Sequence, residues 1–324
     1  MRLKKIIMTM LIGLLTGISA SAGDTTSRPF KLTYTFTIPD IPEDAKEIRY
    51  WVPLPDQSQY QSIIKVDINV PGEYAIKNDA KYKNKILCGV YKNRGVSTIK
   101  GVMTFYVTRL ERIAEPLNIL EPEQNLHSDG LDLYLRPGRL VTLSPRIKKL
   151  AAEITKDQNN PLNKARAIYD YVFENMEYNK STPGWGLGDT ERACDIMQGN
   201  CTDFHSLFIS LARASGIPAK FVIGFSLPDK KKAVLEGYHC WAEFYINGKG
   251  WIPVDISNAW KDKSKKEYYF GSLDQNRIQF TTGRDITLPL TQGSEPLNYF
   301  IYPYFAADGQ GALRGDILIT YSLL

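Results

Sequence analysis

The stretch Gly199-Asn200-Cys201-Thr202-Asp203-Phe204-His205-Ser206-Leu207-Phe208 decides how the rest of the chain is read. Phe204, Leu207, Phe208, Leu211 and Ala212 recur at three- and four-residue intervals, the pattern of a buried helix. Gly216 and Pro218 stop that helix. Asn200 is a good N-cap, which puts Cys201 in the first turn. There the unpaired N–H groups and the positive end of the helix dipole favour an anion. A thiol so placed is expected to ionise readily, and the thiolate is the nucleophile. Taken alone, Cys201 reads equally well as a buried structural cysteine.

The next informative stretch is His239-Cys240-Trp241-Ala242-Glu243-Phe244-Tyr245-Ile246, a strand, followed by a turn at Asn247-Gly248-Lys249-Gly250. Trp251 to Ile256 reads as a returning strand. A two-residue loop would put His239 and Asp255 on opposite faces. A three-residue loop over Asn247 to Lys249 pairs Phe244 with Ile252, Ala242 with Val254 and Cys240 with Ile256, giving one consistently apolar face. His239, Trp241 and Asp255 then share the other face, and burial favours that register. A carboxylate beside a histidine fixes the imidazole tautomer and stabilises its protonated form. His239 is then suited to deprotonate Cys201 and later to protonate a leaving amine.

These blocks resemble a known family. A Gly-Asn-Cys201 helix start, the helix end Arg213-Ala214-Ser215-Gly216-Ile217-Pro218-Ala219, His239-x-Trp241-x-Glu243 and Trp251-x-Pro253-Val254-Asp255 are similar to the transglutaminase-like superfamily over residues 145 to 308. Gly184-Trp185-Gly186-Leu187-Gly188-Asp189 resembles its exported microbial branch. The resemblance implies a papain-like core with a Cys201, His239, Asp255 triad acting on amide bonds. It implies acyl transfer through a cysteine thioester, with hydrolysis slightly favoured over protein crosslinking by an amine. A peptide- or glycan-binding module of the same fold, without turnover, is the alternative. No match to the calcium sites of animal transglutaminases is seen, so no metal and no cofactor is expected. The Cys201 N–H is one natural oxyanion donor. Family members often add a tryptophan N–H from a preceding segment, which makes Trp185 a second candidate, or else an aromatic lid or core residue. His205 reads as a supporting residue rather than the base, and His127 as a surface histidine.

Outward from this core, residues 28 to about 112 alternate apolar and polar positions in short runs. Leu32, Tyr34, Phe36 and Ile38 share one strand face, with Lys31, Thr33, Thr35 and Thr37 opposite. Glu47 to Val52, Ile63 to Val70, Lys85 to Tyr91 and Val102 to Leu110 read as further strands, punctuated by Pro53, Pro55 and Pro71-Gly72. Ser144-Pro145 starts a helix, Leu162 to Met176 carries a second, and strands return after Ala219. The fold class expected is α+β: an antiparallel β-sandwich (23–112), a connector (113–144) and a papain-like catalytic domain with C-terminal strands (145–324). Tyr299 to Phe305 reads as a buried strand.

Residues 1–22 read as a signal peptide: Arg2, Lys4 and Lys5, an apolar run from Ile6 to Ile18, then Ala20-Ser21-Ala22. Export to the periplasm or beyond is expected, with no stable membrane span once the signal is removed. Cleavage would leave 37 basic against 35 acidic residues, a net charge of +2 where the whole chain has +5. That balance gives no electrostatic case for nucleic acid. The partner expected is a peptide or protein substrate. Of Cys88, Cys194, Cys201 and Cys240, Cys240 is expected to point away from His239. Cys194 and Cys240 are either bridged or ordinary buried thiols.

Overall fold

The computed structural model describes residues 26–114, 130–291, 295–308 and 310–324. The expected signal segment and His127 lie outside them. The chain opens with strands β1 (Ser27–Ile38), β2 (Glu47–Pro53), β3 (Gln61–Asn69), β4 (Glu73–Asn78), β5 (Lys85–Lys92) and β6 (Ile99–Leu110). Helices α1 (Pro145–Thr155) and α2 (Pro161–Asn175) follow, then a short strand β7 (Glu177–Tyr178), α3 (Thr190–Ile196) and β8 (Gln198–Gly199). Helix α4 (Cys201–Ala214) leads into β9 (Ala219–Ser226), β10 (Lys232–Val234), β11 (His239–Ile246) and β12 (Gly250–Val254). Helix α5 (Ile256–Lys261), β13 (Arg277–Thr282), β14 (Tyr304–Ala307), β15 (Gln310–Ala312) and β16 (Asp316–Leu323) complete it.

Two five-stranded sheets, ordered β10-β16-β1-β6-β3 and β15-β14-β2-β5-β4, form the sandwich. Alternation drives it: Phe30, Leu32, Tyr34, Phe36 and Ile38 are buried on one face of β1, while the threonines between them stay partly exposed. The strand pairing does not keep to the division expected near residue 145. β16 lies along β1 from Phe30↔Leu323 to Thr37↔Asp316, and β14 lies along β2. The C-terminal strands are therefore sandwich strands, because β1 and β2 each need a second hydrogen-bonded neighbour that the N-terminal segment does not supply.

The other half has helices packed on a four-stranded antiparallel sheet, β12-β11-β9-β13. The helix start read at Ser144-Pro145 holds, with Ser144 accepting the Ile147 N–H at 3.2 Å; the second helix, read from Leu162 to Met176, starts at Pro161, where Asn160 accepts the Asn163 N–H at 2.8 Å. Helix α3 and strand β4 carry too few apolar residues to have been read in advance. Tyr299 to Pro303 is irregular rather than a strand, which begins only at Tyr304. One continuous core joins the halves: Tyr34 and Phe105 of the sandwich pack on Phe280 at ring-centroid distances of 5.9 and 6.1 Å. This anchors β13 against the sandwich.

Candidate active site

Cys201 is the first residue of α4 and only 2% exposed. Asn200 Oδ1 accepts the Thr202 N–H at 2.8 Å, and Asp203 returns by accepting the Asn200 N–H at 2.8 Å, a capping box that fixes the helix start. The Asp203 carboxylate also takes the N–H groups of Gly186 (2.7 Å) and Gly188 (3.1 Å). The glycine-rich segment is thereby tied to the turn that carries the thiol. Gly188 has φ +63°, and a Cβ there would lie 2.4 Å from Ser206 Oγ and 2.8 Å from Thr202 Cγ2, so only glycine lets the segment approach this closely.

His239 opens β11, paired with Gly224 of β9 and 4% exposed. Its Nε2 lies 2.7 Å from Asp255 Oδ2. The other ring nitrogen, Nδ1, is left for Cys201, with which the imidazole is hydrogen-bonded. The hairpin register is the one read from burial: Phe244↔Ile252 and Ala242↔Val254. The third expected pair, Cys240 with Ile256, is absent, because the strand ends at Val254 and Asp255 caps α5 instead. Asp255 Oδ1 accepts the Asn258 N–H at 3.1 Å and the Ser257 hydroxyl at 3.3 Å, which leaves Oδ2 for the histidine. The turn that ends the strand is thus the device that aims the carboxylate.

Asp255 is fully buried, and burial alone would raise its pKa. His239 and Arg277 outweigh that and hold the carboxyl well below the usual range. Arg277, 1% exposed on β13, spans two carboxylates: Nη1 donates to Asp255 Oδ2 at 2.9 Å and Nη2 to Asp274 Oδ2 at 2.7 Å. Its guanidinium lies 5.1 Å from the Trp241 ring. Burial works against a charged His239, but the Asp255 carboxylate and the Cys201 sulfur lift its pKa to about 9. The Cys201 thiol is pulled well below its ordinary value, first by a hydrogen bond from Cys240, against burial, and then by His239. Both shifts favour a thiolate–imidazolium pair, beside a buried carboxylate and a buried guanidinium.

Other expectations meet a mixed outcome. His205 is fully buried in α4; burial lowers its pKa to about 4, and its Nε2 accepts the Ile256 N–H at 3.0 Å. Trp185 stands on the segment tied to Asp203, but its indole is 41% exposed with Lys180 over the ring at 5.8 Å. Cys240, expected to point away from His239, has its sulfur facing the first turns of α4, which places the thiol beside Cys201. All four cysteines are unpaired, and Cys194 is in α3, beside Arg146. Sequence reasoning missed Arg277, Asp203 and Tyr238. Tyr238, whose hydroxyl is 2.9 Å from Thr202 Oγ1 and 3.1 Å from Asn200 Nδ2, packs over the same helix start. For Asp203 a signal existed, since a carboxylate three residues after an Asn cap is a capping-box pattern; for Arg277 there was none. No cluster of three or more metal-ligating side chains occurs among the described residues.

A thiol at a helix start, a strand histidine and a capping aspartate are thus brought together. The family model described as the transglutaminase-like superfamily matches residues 148–256, which contain all three residues. An uncharacterized protein of Haemophilus influenzae is 30% identical over 318 aligned positions, covering 86% of this chain and 85% of that one. The crystal structure of a candidate cysteine protease from Cytophaga hutchinsonii is 20% identical with a TM-score of 0.59, covering 92% of this chain and 98% of that one. The periplasmic domain of TgpA from Pseudomonas aeruginosa is 17% identical with a TM-score of 0.38, covering 74% and 92%. This chain belongs to the transglutaminase-like superfamily.

Proposed function

We propose that this protein is an exported cysteine enzyme catalysing acyl transfer at peptide or side-chain amide bonds, with Cys201 as nucleophile, His239 as base and acid, and Asp255 as orienting group. The observation that carries this reading is the buried chain of contacts from Arg277 through Asp255 and His239 to Cys201 at the start of α4. In the reaction, the Cys201 thiolate attacks the amide carbon and the carbonyl oxygen becomes an oxyanion. The Cys201 N–H at the helix start is a donor suited to it, and the Trp185 indole is a second candidate. Collapse of the intermediate breaks the C–N bond as protonated His239 passes its proton to the leaving ammonia or amine. His239 then deprotonates the water that attacks the thioester, releasing a carboxylic acid and regenerating the thiol. Water is the acceptor at hand unless a site excludes it, which favours hydrolysis over amine crosslinking.

The deciding experiment is a mass-spectrometric screen of peptide substrates with the mature protein, with and without an added primary amine. Loss of ammonia or chain cleavage without adducts supports hydrolysis, and amine adducts support crosslinking. A Cys201→Ala variant that retained full turnover would end the reading. A folded protein whose Cys201 resists iodoacetamide and which turns over no peptide would point to the binding-module alternative. Export is tested separately, by the N-terminal sequence of the protein recovered from the periplasm or medium.

A further inference from the structure

Cys240 and His205 belong to no step of that reaction, yet both are fully buried against its centre. Cys240 is the second residue of β11, opposite Ile223 of β9. Its sulfur lies 3.7 Å from His205 Nδ1 and 3.8 Å from Thr202 Oγ1, both on the first two turns of α4. His205 is set from its far side. Because Nε2 accepts the Ile256 N–H at 3.0 Å, the proton of the neutral ring is on Nδ1, which shares it between the Cys201 backbone carbonyl and the Cys240 sulfur. The Cys240 S–H then has two acceptors, the Thr202 hydroxyl and the Cys201 sulfur, with which it is hydrogen-bonded. Burial and the neighbouring Cys201 sulfur keep the Cys240 proton in place.

We propose that Cys240 is a positioning residue of the active site, whose thiol, oriented by His205 Nδ1–H, donates its hydrogen to Cys201 in the thiolate state. This rests on the reading of Cys201 as the nucleophile. The arrangement fits a buried anion that needs a donor besides His239, because His239 must swing its proton toward the leaving group during turnover. Other titratable and charged groups face the two sulfurs from every side. His239 and Asp255 lie on one side, and Tyr178 precedes the helix. Tyr238 precedes the strand, and Arg284 and Tyr299 come from the C-terminal half. The Tyr238 hydroxyl is engaged with Thr202 and Asn200, so Thr202 Oγ1, the other acceptor of the Cys240 hydrogen, already has a second partner.

The test is the pH dependence of iodoacetamide alkylation at Cys201, located by peptide mass spectrometry, in the mature protein and in Cys240→Ala and Cys240→Ser. One hydrogen bond to an ionised group shifts an acid dissociation by about tenfold, and S–H is a weak donor, so about one pH unit is expected. Cys240→Ala should raise the alkylation midpoint by that amount, while Cys240→Ser, which keeps a donor of similar size, should stay near the wild type. A merely structural thiol would leave the midpoint unmoved, and equal midpoints in all three proteins would overturn the proposal. A second readout needs no variant: in the wild type below pH 9, label should reach Cys201 while Cys240 remains a protonated, unlabelled thiol. Labelling of Cys240 ahead of Cys201 would refute it. Turnover does not enter either readout, so a Cys201 that alkylates at depressed pH in a protein without peptide turnover would sink the acyl-transfer reading alone.

Discussion

Arg277→Met is the substitution with the largest consequence that the fold predicts. The guanidinium is 1% exposed and bonded to two carboxylates, Asp255 at 2.9 Å and Asp274 at 2.7 Å. Methionine fills similar space beneath Trp241 but leaves the fully buried Asp255 facing only His239, Ser257 and the Asn258 N–H, and leaves Asp274 without its cation. Removing one partner of a buried ion pair typically costs about 3–5 kcal/mol, because the remaining charge has been taken out of water for nothing. For a chain of this size about 2 °C of melting temperature is lost per kcal/mol, so a drop of roughly 6–10 °C is expected. Arg277→Lys keeps the charge but reaches one carboxylate at a time, and should fall between the two. Thermal unfolding by circular dichroism measures the drop, and Cys201 alkylation rates report the site. The double variant Arg277→Met/Asp274→Asn should recover part of the loss, since one stranded charge is removed with it. A melting temperature within 2 °C of wild type for Arg277→Met would show that the ion pairs contribute nothing and that the reasoning is wrong.

Asp255→Asn should lower turnover by roughly 10³- to 10⁴-fold, since it changes the His239 tautomer and withdraws the charge that stabilises the imidazolium; steady-state kinetics on any substrate found by the screen checks this. Turnover should fall as pH rises through about 9, because burial works against the imidazolium but Asp255 and Cys201 lift it to about 9, so it is present below that value and lost above it; Cys201 alkylation, which needs only the thiolate, should not fall with it. A basic limb near 6.5 in the pH–rate profile would mean that His239 is unpaired. Asp203→Ala removes the capping box and both glycine N–H acceptors, so it should cost about 1–3 kcal/mol by chemical denaturation and loosen the segment bearing Trp185 to proteolysis. If Trp185 contributes the oxyanion donor, Trp185→Phe should reduce turnover by about 10²- to 10³-fold; an unchanged rate would leave the backbone donor alone.

How much of this was legible in the sequence depended on the reach of each signal. Asn200 and Cys201 could be placed because capping is settled within four residues. The His239–Asp255 approach could be placed because the face that hairpin burial prefers admits a single register. What alternation cannot show is where a strand stops. Val254 and Asp255 look like further strand residues, and only the carbonyl of Tyr269, which accepts the Asp255 N–H at 3.1 Å, turns the chain into α5. The same blindness hid the neighbourhood of Cys240: its face was read correctly, but the helix turn on that face is brought there by the packing of α4 on the sheet. Arg277 carries no local pattern at all. A buried arginine is explained only by partners, and Asp255 is 22 residues away. That β14 and β16 belong to the sandwich was unreadable for the same reason, since their partners β2 and β1 lie more than 250 residues earlier.

That long-range pairing has a consequence for how the protein comes into being. Ser27–Ile38 sits in its sheet between Ile99–Leu110 and Asp316–Leu323, so the earliest strand has a bare edge until the latest one arrives. Everything that makes the reactive centre is threaded between those two moments. A polypeptide emerging residue by residue would expose that edge and keep the sandwich unfinished until Asp316–Leu323 was clear. The Cys201 thiol therefore meets its partners late, once the last strand has paired with the first.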